Sequence, residues 1–306
     1  MFSRFECSVP PILAAEDSLV AAPQEFHAVT RLLSTIDWVV MGIGTLLAVV
    51  LLVRLIRRGR RDAFAAAPIR VNEFREDSLA LALLAYLLAA LVLGGVFQFI
   101  YGENGGAMKN LLVGSGAQLA GAAMCIFVAS RGFSGGSRQF VRGPEVFRYR
   151  ALAYMASGGL VLALAICPEV LAGFVTLILH FNPDYQLPVH PTITALRGEA
   201  STFPQMMVLW VGAAVIAPLA EELFFRGILQ TVLLNTLKSR WTAIMMASTV
   251  FAAIHFSQPH AIPALFVLSV IMGYSYERSG SLVPPIAIHA LFNLKTLVWD
   301  MLGSSM

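Results

Sequence analysis

Residues 78–101, "SLALALLAYLLAALVLGGVFQFIY", run for 24 positions without a charged side chain. A helix of that length is about 36 Å long, enough to cross the roughly 30 Å hydrocarbon core of a bilayer. Seven further runs come close to the same requirement: 36–56, 110–130, 151–173, 204–236, 241–257, 261–277 and 282–302. Of the 306 residues, 58% are hydrophobic and 13% charged, against about 25% charged in soluble domains. The chain therefore reads as an all-α, polytopic transmembrane helix bundle of about eight spans.

The fourth and fifth runs need a closer reading. "CPEV" puts Pro168 and Glu169 inside an apolar run that continues to Phe181, which predicts a crossing over 151–168 and an interfacial or re-entrant remainder. The fifth run is too long for one upright helix, and Pro218 is expected to kink or divide it.

Connecting charges set the orientation. Segment 54–77 carries seven Arg and segment 131–150 carries five, with Lys238, Arg240 and Arg278 falling on the same side. Only Arg4, Arg31, Lys109 and Arg197 fall on the other. This places the 54–77 loop in the cytoplasm and both termini outside. The expected organisation is an extracytoplasmic segment 1–35, three helices with basic loops over 36–150, and a functional core over 151–306. Residues 132–137 read as a short loop, and no internal repeat is visible. The N-terminus lacks the basic start and apolar centre of a signal peptide, so the first span is expected to stay as an anchor.

Two function classes recede on composition. A net charge of +3, dispersed along the chain, does not suggest a nucleic-acid partner. Cys7, Cys125 and Cys167 have no metal-type spacing and do not suggest a disulfide framework.

"APLAEELFFRG" (217–227) then stands out, because it sets Glu221, Glu222 and Arg226 within an apolar stretch. Each charge at mid-membrane costs about 2.5–3.5 kcal/mol even on lenient scales. Glu222 and Arg226, at i and i+4, share a helix face and can pair. Glu221 points about 100° away and is left free. The next span ends in "FAAIHFSQPH", with His255 one turn after Phe251, and the last contains "HALFN", with His289 and Asn293 one turn apart. Each group alone could be glue between helices. Together they are the inventory for activating a water and stabilising an oxyanion. The chain has no nucleophile-elbow motif and no "HExxH". His27, His180, His190 and His260 are read as structural, Glu169 as interfacial, and Lys295 as snorkelling toward an interface.

"EELFFRG", "FAAIH" and "HALFN" resemble, in this order, the EExxxR, FxxxH and HxxxN motifs of the CPBP family. These are the CAAX prenyl endopeptidases of the Ras-converting type and their prokaryotic Abi-type relatives. The resemblance covers about 205–300 and implies an intramembrane endopeptidase. It implies Glu221 as general base, with His255 holding and polarising the water. His289 and Asn293 would stabilise the oxyanion, and Glu222 with Arg226 would brace the site. A hydrophobic or lipidated peptide or protein is the expected substrate, reached through membrane lipid, in a prokaryotic plasma membrane. No cofactor is preferred, because Asn293 suits an oxyanion donor better than a zinc ligand. The alternative is Zn²⁺ held by Glu221, His255 and His289. A transporter or binding scaffold could use the same polar cluster. The motifs can meet only if the last helix begins deep in the membrane or an expected boundary is misplaced, and "GSLVPP" (280–285) suits a dipping approach.

Overall fold

The computed structural model describes residues 24–62, 64, 67–68, 72, 74, 76–102, 106–133, 135–143, 149–188 and 203–303. Cys7, His190 and most of the expected extracytoplasmic segment lie outside them, as does the side chain of His27. The chain divides into two compact units, Met1–Ile36 and Asp37–Met306.

Among the described residues nine helices make the fold, and no strand occurs. They are α1 (Gln24–Asp62), α2 (Glu76–Tyr101), α3 (Gly106–Gly132), α4 (Gly136–Arg142), α5 (Tyr149–Phe181), α6 (203–237), α7 (Arg240–Ala253), α8 (Ile262–Ser279) and α9 (Val283–Gly303). Six stretches among the described residues are long and apolar enough to cross a membrane: Arg31–Arg54, Glu76–Ile100, Leu112–Gly132, Ala151–Phe181, Gln205–Leu237 and Pro259–Ser279. The expected spans at 241–257 and 282–302 are also helical. However, α7 has only 14 residues, and His289, Asn293 and Lys295 dilute the apolar character of α9.

Burial is uneven along the chain. Helix α2 leaves Leu84, Leu87, Leu91, Val92 and Phe99 exposed, a surface that requires an apolar solvent. The late helices carry most of the buried polar side chains, from Glu222 and Arg226 to Glu277 and His289. Gly44 of α1 lets the α5 backbone come close, for a Cβ there would strike Ala165 and the Val161 carbonyl.

Two sequence expectations are corrected. Helix α5 runs unbroken through Pro168 to Phe181, where 151–168 was expected to be the whole crossing. Pro168 and Glu169 both face outward, so the ring displaces no packed neighbour and the missing N–H costs one backbone bond. Pro218 likewise does not divide α6. The helix changes register instead, with π-helical turns at Gly212–Ile216 and Leu223–Gln230 around an α segment Ala217–Glu222.

The expected loop at 132–137 is in part helical, since α3 reaches Gly132 and α4 starts at Gly136. Phe140 of α4 is fully buried and packs edge-to-face on Phe74 and Phe133. The turn before α9 is buried beneath this segment. Leu282 N–H and Ser281 Oγ both donate to the Val141 carbonyl, at 2.9 and 3.1 Å. Gly143 and Gly280 adopt left-handed φ of 74° and 66°, and a Cβ on Gly143 would lie 2.6 Å from the Gly280 carbonyl oxygen. The start of α9 is thus an enclosed turn.

Gly227 meets the same aromatic cluster, since a Cβ there would run into the Phe140 ring. Phe74 and Phe133 flank that ring and leave it little room to withdraw. Gly227→Ala is expected to destabilise the protein by about 1–3 kcal/mol through overpacking. Thermal unfolding in detergent checks this, and an unmoved midpoint would contradict it.

Candidate active site

The π segment Leu223–Gln230 presents Arg226 and Gln230 toward α8, and Glu222 closes the α segment just before it. Arg226 Nη1 donates to Glu222 Oε1 at 2.7 Å, with the two side chains 1% and 0% exposed. Arg226 Nη2 donates to Ser269 Oγ at 2.9 Å and to the Ser269 carbonyl at 3.3 Å. The guanidinium also lies 4.8 Å from the centre of the Phe251 ring. Burying a lone guanidinium would be prohibitive. Here a carboxylate, a hydroxyl, a carbonyl and an aromatic face replace its water.

His289 joins this pair from α9. Its Nδ1 is 2.9 Å from Glu222 Oε1, and an ionised carboxylate can only accept, so Nδ1 carries the hydrogen. Its Nε2 then faces Glu221 Oε2 at 3.9 Å, just beyond hydrogen-bond length. Glu221 differs from Glu222 in access, for its side chain is 21% exposed. The two adjacent carboxylates therefore have separate surroundings. Glu222 is sealed against a cation and an imidazole, while Glu221 borders open space.

His255 was expected within a span, but α7 ends at Ala253 and His255 stands in the turn that follows. Its own N–H caps the helix by donating to the Ala252 carbonyl at 3.1 Å. Its Nδ1 donates to the Phe251 carbonyl at 2.8 Å, which leaves Nε2 with the free lone pair in the neutral ring. Phe251 fixes both imidazoles, with centroid distances of 5.0 Å to His255 and 5.7 Å to His289. The structure thus brings Glu221, Glu222, Arg226 and His289 into one cluster, with His255 across the Phe251 ring.

Asn293 is placed differently from the expectation of an open donor. Its Nδ2 donates to the Ala213 carbonyl of α6 at 3.0 Å, which leaves one amide hydrogen available. Lys295 has partners that sequence reading missed: its Nζ lies 3.3 Å from Asp37 Oδ1 and 4.7 Å from the Trp299 ring centre. His180 is exposed at the end of α5, Glu169 is exposed, and His260 sits in the turn Pro259–Ala261. Cys125 and Cys167 are buried and free.

Sequence reading also missed a second polar rung. Gln230 Nε2 donates to Glu277 Oε1 at 2.9 Å and to the Gly273 carbonyl at 3.2 Å. Arg240 Nε lies 3.4 Å from Glu277 Oε2, and its other nitrogens donate to the carbonyls of Phe64 and Pro68. A signal existed. Gln230 follows Arg226 by four residues, as Gly273 follows Ser269 and Glu277 follows Gly273, so two helices carry facing polar positions one turn apart. Gly273 permits the approach, because a Cβ there would sit 2.8 Å from Gln230 Oε1.

The chemistry of Glu221, His255 and His289 allows metal ligation, and each imidazole has its Nδ1 held by an acceptor, as metal-bound histidines do. Their placement does not match that chemistry. Among the described residues no three His, Cys, Asp or Glu side chains converge on a common point for an ion. As placed, they do not fit a three-ligand zinc site.

An all-α chain with several apolar helices, and a carboxylate–imidazole cluster between two of them, is a membrane protein with an internal polar site. Residues 203–295, which contain the whole cluster, match the family described as type II CAAX prenyl endopeptidase Rce1-like. This part of the chain is similar to that family, and so to the CPBP intramembrane proteases, and the protein is integral to the membrane and multi-pass. An uncharacterized 24.3 kDa protein of Escherichia coli is 31% identical over 110 residues, which are 34% of this chain and 48% of that protein. The membrane-embedded CAAX protease MroQ of Staphylococcus aureus (strain USA300) is 30% identical over 153 residues, 45% of this chain and 60% of that protein. The chain thus spans about half the length of these curated relatives. No solved structure matches it.

Proposed function

We propose that this protein is an intramembrane endopeptidase that hydrolyses a peptide bond near or within the bilayer, with Glu221 as the base. The observation that carries this reading is the division between the two carboxylates. Glu222 is fully buried and its Oε1 takes both Arg226 and His289, whereas Glu221 is partly exposed and 3.9 Å from the His289 Nε2.

Glu221 removes a proton from water as its oxygen attacks the scissile carbonyl carbon. His255, held through Nδ1, accepts the other water hydrogen at Nε2 and so aims the nucleophile. The carbonyl becomes a tetrahedral oxyanion. Two donors suit it: the remaining amide hydrogen of Asn293, and Nε2–H of His289 when that ring is doubly protonated and bonded to Glu222. The proton on Glu221 then passes to the amide nitrogen, the C–N bond breaks, and a carboxylic acid and an amine leave. Such proton transfer contributes about 10²–10⁴-fold.

The expected substrate is a hydrophobic or lipidated peptide or protein segment, entering from the lipid, in a prokaryotic plasma membrane. The family match and the bacterial relatives support this choice.

His255→Ala tests the assignment with a panel of quenched peptides in detergent. Turnover is expected to fall about 10²-fold, and turnover equal to wild type would remove His255 from the mechanism. Elemental analysis after chelation tests the metal-free step. Active protein without stoichiometric zinc is expected. Zinc lost together with activity would favour the alternative with Glu221, His255 and His289 as ligands.

A further inference from the structure

The π turn at Gly212–Ile216 leaves a backbone oxygen without a partner, and the origin is Pro218. Ala217 N–H, which would serve the Ala213 carbonyl in an α-helix, donates instead to the Gly212 carbonyl, five residues back. The next donor for Ala213 in that wider register is residue 218, and proline has no N–H. The Ala213 carbonyl therefore has no donor within its own helix in either register. Asn293 Nδ2 reaches across from α9 and supplies one at 3.0 Å.

This joint sits where it controls direction. A π turn inserts one residue into the helical count, and one residue is about 100° of rotation and 1.5 Å of rise. Everything after Ile216, starting with the segment that bears Glu221 and Glu222, is turned by that amount relative to a plain α-helix. Loss of the insertion would swing both Glu221 and Glu222 away from His289 of α9. Asn293 lies one helical turn beyond His289, so one face of α9 both secures the π turn and meets the carboxylates that the turn has aimed.

We propose that Pro218 and Asn293 form a register lock: the proline holds the π turn open, and the Asn293 amide satisfies the carbonyl that the proline strands. Asn293 is thereby a positioning residue for Glu221 and Glu222, in addition to its place beside the oxyanion. Pro218 is a positioning residue that does not touch substrate. The catalytic half of this inference rests on the peptidase reading, while the lock itself does not.

A double-mutant cycle on the full-length protein in detergent tests it, with Pro218→Ala, Asn293→Ala and the pair. Pro218→Ala removes the ring clash with the Ala214 carbonyl and returns the N–H that the α register needs there, so that Ala217 N–H can go back to the Ala213 carbonyl and the π turn can close. Asn293→Ala is expected to lower the unfolding midpoint by about 3 °C in the wild-type background, and by much less in the Pro218→Ala background. Pro218→Ala alone is expected to reduce kcat at least about tenfold at nearly constant KM, since misaimed groups lose transition-state stabilisation. A proline serving packing alone would move the midpoint and leave kcat unchanged. The kcat of the pair is expected to exceed the product of the two single losses. Asn293→Leu, similar in volume and lacking a donor, repeats the cycle where alanine gives little protein. Equal losses of midpoint or folded yield in both backgrounds, or kcat effects that multiply, overturn the lock. Absence of turnover on any peptide would remove the peptidase reading alone, because the midpoint arm decides the lock without it.

Discussion

Glu221→Gln is expected to lower peptide turnover by about 10²–10⁴-fold while leaving the unfolding midpoint where it was. The two halves have one cause. The Glu221 side chain is 21% exposed and its nearest imidazole nitrogen is 3.9 Å away. Removing its charge therefore strands no buried partner. A glutamine fills the same space but cannot take a proton from water. Turnover assays and thermal unfolding of the same preparation separate the effects. A fall in midpoint comparable to that of a core substitution would show that Glu221 supports the fold, and wild-type turnover would end its assignment as the base.

Glu222→Gln is expected to do the reverse and act first on stability. Arg226 is 1% exposed and its guanidinium relies on the Glu222 carboxylate at 2.7 Å. Neutralising one member of a buried pair costs about 3–5 kcal/mol, because the other charge remains without compensation. His289 would lose an ionised acceptor at Nδ1 as well, so activity should fall with folded yield. Replacing both members, as in Glu222→Gln with Arg226→Met, is expected to recover part of the midpoint. The apolar side chain strands no charge, although Ser269 then loses its donor. If Glu222→Gln kept full stability while Glu221→Gln unfolded the protein, the roles of the two carboxylates would be exchanged.

Much of this arrangement was legible in the chain because it follows from periodicity. Long apolar runs gave the helices, and four-residue spacing gave the Glu222–Arg226 pair. What escaped depends on breaks in periodicity. The π turns around Pro218 could not be read from the proline alone, since a kink, a break and a register shift all accommodate a missing N–H. Pro168 misled in the opposite direction: it faces outward in α5, where its cost is one backbone bond and the helix simply continues. His255 looked like a residue within a span, yet α7 stops two residues earlier and the imidazole caps the turn. Asn293 looked like an open donor because its partner is a main-chain carbonyl, and nothing in a sequence marks a carbonyl as stranded. Lys295 needed Asp37, 258 positions earlier in the chain, a pairing that only the packing of α9 near α1 reveals. The expected span 241–257 was also drawn too long, since α7 ends at Ala253.

The central claim is that α6 and α9 bring Glu221 and His289 together as one reacting unit. The most direct measurement is kcat/KM for Glu221→Gln, His289→Ala and the double variant, on protein verified as folded. Groups that act as a unit give a double variant no slower than the worse single one, and that result is predicted here. Losses that multiply, or full activity in either single variant, would contradict it.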